Sequence, residues 1–411
     1  MSFVNESGPT PPGTALSPWT RKEKIRTLIS LAIIAALLVL AYRLSGDPES
    51  SNASISLLIG ISLGLILERG RFCFFCIFRD GIEDKSTTPF LSILAAIATG
   101  SIGYAIILGQ FLPDTSTNRL PPAAHIGPVS WALALAAFSF GIGMTLSGAC
   151  ISGHLYRLGQ GYLRAIPALF GTILGFILAF LTWNSLYSRT IADAPTLWLP
   201  HYLGYAGSLI LTLFVLLAIA AILMRRNRFE QKGTIAPQTA PTLSSILRRL
   251  LTERWSPVIT GTLVGVVGTI AYLRIEPLGV TRELSSRARS ILESNQLGPE
   301  MLNGLDLMAG CIAIVSEAFS NNGWLILGLV FASFAAALAG GRFQLARPTL
   351  RNSSTALIGG VLLGWGSMTA LGCTIGVLLS GTQAFALSGW VFFAFVFAGS
   401  YMGIKLKLHR I

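Results

Sequence analysis

The side chains with the most distinctive chemistry in this sequence are five cysteines, Cys73, Cys76, Cys150, Cys311 and Cys373. Two of them sit in a repeated setting. Cys150 lies in GIGMTLSGACISG, residues 141–153, and Cys373 in GWGSMTALGCTIG, residues 364–376. Gly141, Gly143, Cys150 and Gly153 align with Gly364, Gly366, Cys373 and Gly376 at a constant offset of 223. A thiol offers a weak S–H donor on a polarizable sulfur. Turns rich in Gly, such as those holding Gly148, Gly153, Gly372 and Gly376, can also bare backbone N–H groups, which receive anions where a helix begins. The motifs read either as a paired, thiol-lined constriction or as glycine-rich helix packing. Cys73 and Cys76 form Cys-Phe-Phe-Cys. That spacing suits a metal or redox pair, but there is no second CxxC and no nearby His to complete one. Cys76 and Cys311 read as small hydrophobes.

The elements that must position these thiols are membrane helices. Of 411 residues, 52% are hydrophobic and 12% charged, where a soluble domain carries about a quarter charged. A soluble enzyme is excluded, and an all-α polytopic membrane protein is expected. No ATP-binding loop, His-x-x-x-His pair or nucleophile elbow is present, so nothing in the sequence powers transport by hydrolysis. No cofactor or metal site is expected; His125 and His201 read as separate residues at external interfaces. The net charge of +12 comes from basic clusters between apolar runs, which sets orientation rather than binding nucleic acid.

Apolar runs fall near 27–43, 53–67, 88–112, 130–149, 165–183, 204–224, 257–273, 302–319, 323–340, 355–373 and 386–404. Most approach the roughly 20 residues that cross a bilayer. Arg21, Lys22, Lys24 and Arg26 put the N-terminus in the cytoplasm, as does the basic linker 225–254, which includes an expected amphipathic stretch at 243–254. The expected organisation is an extra first helix within 1–52, a first half at 53–224, a linker at 225–256 and a second half at 257–411. Four full crossings in the second half, with 302–319 folding back and 276–300 external, return Lys405, Lys407 and Arg410 to the cytoplasm. The halves then enter their glycine–cysteine motifs from opposite sides. A second repeat pairs Gly60 and Gly64 with Gly261 and Gly265. Such an inverted repeat is common in secondary transporters. Arg71 beside the first cysteine pair, and His154 and Arg157 after Cys150, are candidates to line a vestibule.

Three segments, RGRFCFFCIFRDG at 69–81, SGACISGHLYRLGQG at 147–161 and LGCTIGVLLSG at 371–381, resemble the YeeE/YedE family of sulfur transport membrane proteins, which includes bacterial thiosulfate uptake proteins. The resemblance implies an hourglass of two inverted halves with re-entrant helical segments. It implies a central path in which Cys73, Cys150 and Cys373 pass thiosulfate inward through S–H···S hydrogen bonds. A cytoplasmic sulfur-carrier protein of the TusA type is the implied partner, in a bacterial inner membrane. GVTRELSSRARSI at 279–291 resembles a longer, selenium-associated branch of the family, so a selenium compound is an alternative cargo. An intramembrane thiol enzyme or sulfurtransferase using Cys73 and Cys76 is an alternative of another class, and a structural subunit that recruits a sulfur carrier is a third.

Overall fold

The computed structural model describes residues 20–47, 50–117, 119–227, 251–299, 301–305 and 319–410. The expected fold-back of 302–319 falls largely outside these residues, as do Cys311 and most of the linker with its amphipathic stretch. Apart from two isolated β-bridges, the regular structure of the described residues is helical. In order it forms α1 (Arg21–Ser45), α2 (Ser51–Gly70), α3 (Phe74–Glu83), α4 (Phe90–Phe111), α5 (Trp131–Ser147), α6 (Ile151–Gly159), α7 (Ala165–Leu186) and α8 (Leu199–Asn227). The second half forms α9 (Pro257–Arg274), α10 (Arg282–Ser294), α11 (Asn321–Ala339), α12 (Leu350–Thr369), a π-helical segment (Thr374–Gly381) and α13 (Leu387–Lys405).

Nine spans among the described residues are long and apolar enough to cross a bilayer, and α12 with its π-helical segment, bent by 40°, makes a tenth. Six of these precede the linker and four follow it. Helices suit this environment because each satisfies its own backbone where no water can. Five of the long helices begin at side-chain caps. Thr20 and Glu23 form a capping box on α1, while Ser130, Ser256, Ser320 and Thr349 accept first-turn N–H groups of α5, α9, α11 and α12.

The packing is symmetric between halves. Helix α2 packs against α11, and its counterpart α9 packs against α4. Helix α12 packs against α7, and α13 against α5, while α5 and α12 meet each other across the centre. The repeated glycines mark these contacts. A methyl built on Gly60 or Gly64 would strike the backbone of Leu325 or Leu329, and one on Gly261 or Gly265 would strike that of Ser92 or Ala96. Gly143 lies against Gly359 while Gly366 lies against Ala136 and Phe140, so α5 and α12 run antiparallel. The repeat is therefore inverted, and each half packs mainly on the other. Lipid supplies no hydrophobic drive between helices, so close backbone approach at small residues provides the attraction.

The ends of the helices define two faces. On one, the carboxylate of Glu68 is fully buried and receives Arg342 Nε and Nη2 at 2.8 and 2.9 Å. Arg254 Nη1 donates to the Glu68 carbonyl at 2.9 Å, and Arg342 Nη1 to the Thr252 carbonyl at 2.8 Å. This cluster ties the end of α2 to the segment before α9 and to the loop after α11. Arg410 Nη2 donates to Glu83 at 2.8 Å on the same face. On the other, Trp183 Nε1 donates to the Asn303 carbonyl and Asn184 to that of Met301, which seats these two residues beside the end of α7. There Arg282, Arg287 and Arg289 each pair with a carboxylate, Glu276, Glu283 and Glu293.

Candidate functional site

Three of the expected residues sit at one kind of chain break. Helix α2 ends where Arg71 takes a left-handed conformation (φ 52°), and the extended Cys73 then begins α3. Helix α5 ends at left-handed Gly148 (φ 89°), and the extended Cys150 begins α6. Helix α12 ends before Leu371 (φ 60°) and Gly372 (φ 153°), and the extended Cys373 begins the π-helical segment. Gly148 and Gly372 thus serve the turns, since a side chain strains such backbone. In none of the three does a hydroxyl or carboxylate cap the first turn; first-turn N–H groups point at the thiols of Cys150 and Cys373 instead. These donors and the positive ends of short helices are the features that attract an anion.

The sulfurs converge. Cys73 Sγ and Cys150 Sγ are 4.0 Å apart, and both residues are wholly buried. Cys150 Sγ also lies 3.3 Å from Ser152 Oγ and receives the N–H groups of Gly153 and Phe74. Gly153 leaves room for the pair: a methyl built there would sit 2.8 Å from Cys73 Sγ and 3.3 Å from Cys150 Sγ. Cys373, 1% exposed, receives the N–H groups of Ile375, Gly376 and Val280 and contacts the Thr281 hydroxyl. All four described cysteines are unbridged and belong to one continuous apolar cluster.

Around the thiols the structure departs from the sequence reading in two places. Cys76 does more than pack: Arg157 Nη2 donates to its sulfur at 2.8 Å, while Arg157 Nη1 donates to the Gly148 carbonyl at 2.8 Å. Cys76 also contacts Cys73, so a polar chain runs from Cys150 through Cys73 and Cys76 to Arg157. No local motif announces a contact between residues 81 positions apart. The second departure is His125, which lies buried against Gly376 instead of at an interface; its ring comes within 3.1 Å of a methyl built on that glycine. Its Nδ1 has no hydrogen-bond partner. His154 is likewise buried, with Nε2 unpartnered, one turn into α6. Arg71 is half-buried at the turn before Cys73. Among the described residues no cluster of His, Cys, Asp or Glu has the makings of a metal site.

The sequence pattern of the family described as Sulphur transport matches residues 69–402. The chain is 27% identical over 353 residues to the thiosulfate transporter TsuA of Escherichia coli (strain K12), covering 84% of this chain and 91% of that protein. It is 26% identical over 372 residues to the thiosulfate transporter TsuA of Spirochaeta thermophila, covering 84% and 96%. The probable transporter YedE of Escherichia coli (strain K12) is 25% identical over 233 residues, 56% of this chain and 55% of that protein.

Proposed function

This chain belongs to the sulphur transport family, a family of transporters and not of enzymes, and on that premise we propose that it carries thiosulfate, or a closely related small sulfur-containing anion, inward through a path lined by Cys73, Cys150 and Cys373. The observation that supports this reading best is the pair of sulfurs 4.0 Å apart at two converging helix starts. A thiol pair at that spacing can turn both S–H groups toward one terminal sulfur lying beside it. The first-turn N–H groups gathered around the sulfurs at these helix starts are suited to sharing the charge of the anion.

Burying the charge without partners would cost many kcal/mol. The N–H donors and helix ends offset part of that cost. Arg157 adds a fixed positive charge behind the thiols, reaching the path through Cys76. A negative-inside potential opposes entry by about 2.3 kcal/mol per charge per 100 mV. The family premise and the long apolar spans place the chain in the bacterial inner membrane as a multi-pass protein. We assign the face carrying Arg254, Arg342 and Arg410 to the cytoplasm because Lys and Arg gather there, Lys405 and Lys407 among them, which would put both termini on that side. That face would hand the anion to a soluble carrier of the TusA type, whose consumption of the cargo would sustain inward flow against the potential.

The test is growth on thiosulfate as the sole sulfur source, in cells lacking any other thiosulfate importer. Wild-type protein restores growth and Cys73→Ser does not, because a hydroxyl lacks the polarizable sulfur that meets the cargo. Growth restored equally by Cys73→Ser would refute the thiol path. Uptake of a selenium compound with none of thiosulfate would keep the path and change the cargo.

A further inference from the structure

The two halves match element by element, yet only three of the four matching break points carry a thiol. Helix α5 with α6 corresponds to α12 with the π-helical segment, and the residues just before the short elements are Cys150 and Cys373. Helix α2 with α3 corresponds to α9 with α10. The residue just before α3 is the extended Cys73, and the residue just before α10 is Thr281, whose backbone is already helical (φ −108°, ψ −19°). The correspondence is hidden in the sequence because the connection of seven residues, 275–281, replaces the three residues 71–73.

Thr281 is fully buried. A threonine at a helix start ordinarily accepts a first-turn N–H. Thr20, Ser130, Ser256, Ser320 and Thr349 do so in this chain. Thr281 does not. Its hydroxyl turns instead onto the thiol of Cys373, as Cys73 turns onto Cys150 in the other half. The first-turn N–H of Glu283 is satisfied from elsewhere, by Asn322 Oδ1 at 3.2 Å. A second buried polar group addresses the same turn: the unpartnered Nδ1 of His125 lies 3.4 Å from a methyl built on Gly372, next to Cys373.

We propose that Thr281 is the fourth side chain of the path, the hydroxyl counterpart of Cys73, and that it donates a hydrogen bond to an oxygen of the passing anion beside Cys373. The proposal rests on the reading of this chain as a transporter of a sulfur-containing anion. It gives the path a chemical asymmetry. One half presents two thiols, and the other presents one thiol and one harder donor. Such a pair holds an anion by a terminal sulfur and an oxygen at once, which favours thiosulfate over an anion with oxygens alone.

The test compares wild type, Thr281→Val and Thr281→Ser in proteoliposomes, reading initial thiosulfate uptake against concentration, with thermal melting in detergent as a control for folding. Valine keeps the shape and removes the donor; serine keeps the donor. The expected result is a KM for thiosulfate raised about tenfold or more in Thr281→Val, with Thr281→Ser close to wild type and the melting of both unchanged. Wild-type kinetics in Thr281→Val would overturn the inference. So would equal losses in both variants, whatever their melting, because serine retains the hydroxyl. Absence of thiosulfate uptake by the wild type would instead overturn the transport reading, and this inference with it.

Discussion

Replacing Gly153 by alanine perturbs the thiol pair without touching either sulfur chemically. The added methyl would lie 2.8 Å from Cys73 Sγ, 3.0 Å from Ala149 Cβ and 3.3 Å from Cys150 Sγ. The first of these is far inside van der Waals contact, so at least one thiol must leave its position. The nearest obstructing atom is a rotatable thiol and not backbone, so the fold can absorb most of the change by rotating a sulfur away. Overpacking of this kind costs about 1–3 kcal/mol. Where the displaced groups are those that meet the cargo, the same energy appears as a loss of roughly 5- to 150-fold in uptake. Gly364 provides the contrast. A methyl there would sit 2.1 Å from the Thr172 carbonyl oxygen, against backbone that cannot rotate aside. Gly153→Ala is therefore expected to be present in the membrane at near wild-type levels and to transport poorly, while Gly364→Ala is expected to be depleted. Immunoblots of membranes, paired with initial uptake rates per molecule of protein, read both quantities. Gly153→Ala transporting thiosulfate at the wild-type rate would refute the claim that the 4.0 Å sulfur pair lies on the path.

Cys76→Ser should retain most uptake, because serine still offers Arg157 an acceptor. Cys76→Ala should lose clearly more, since the Arg157 Nη2 bond to the sulfur is then unmade; uptake rates that rank the two the other way would remove Cys76 from the polar chain. Glu68→Gln leaves Arg342 and Arg69 without their buried carboxylate, and removing one partner of a buried pair costs about 3–5 kcal/mol. A marked fall in the melting temperature in detergent is expected, and an unchanged one would show that the cluster does not hold the halves together.

The fold was largely legible because apolar runs bounded by charged loops leave a chain little choice in a bilayer. The glycine–cysteine repeat also carried its own inversion. Its glycines proved to have two roles that sequence alone could not separate: Gly141, Gly143, Gly364 and Gly366 seat helix against helix, while Gly148, Gly153, Gly372 and Gly376 shape the turns around the thiols. Cys73, Cys150 and Cys373 stand out as candidates from their motifs, and the structure sets each of them at a chain break. The Cys76–Arg157 contact was not, because it depends on how α3 and α6 cross. His125 was misplaced because a polar residue in a loop between spans reads as surface, whereas this loop folds in against the Cys373 turn. Thr281 escaped notice because the longer connection before α10 breaks the constant spacing on which recognition of the other repeat relied.

The central claim is that three thiols at converging helix starts select an anion by its terminal sulfur. It is tested most directly by competition in proteoliposomes holding the purified protein. Saturable uptake of labelled thiosulfate should resist a large excess of sulfate in the wild type, and alanine at Cys73, Cys150 or Cys373 should abolish that uptake or its preference over sulfate. Equal transport of the two anions by the wild type, or a preference that survives all three substitutions, would contradict the account.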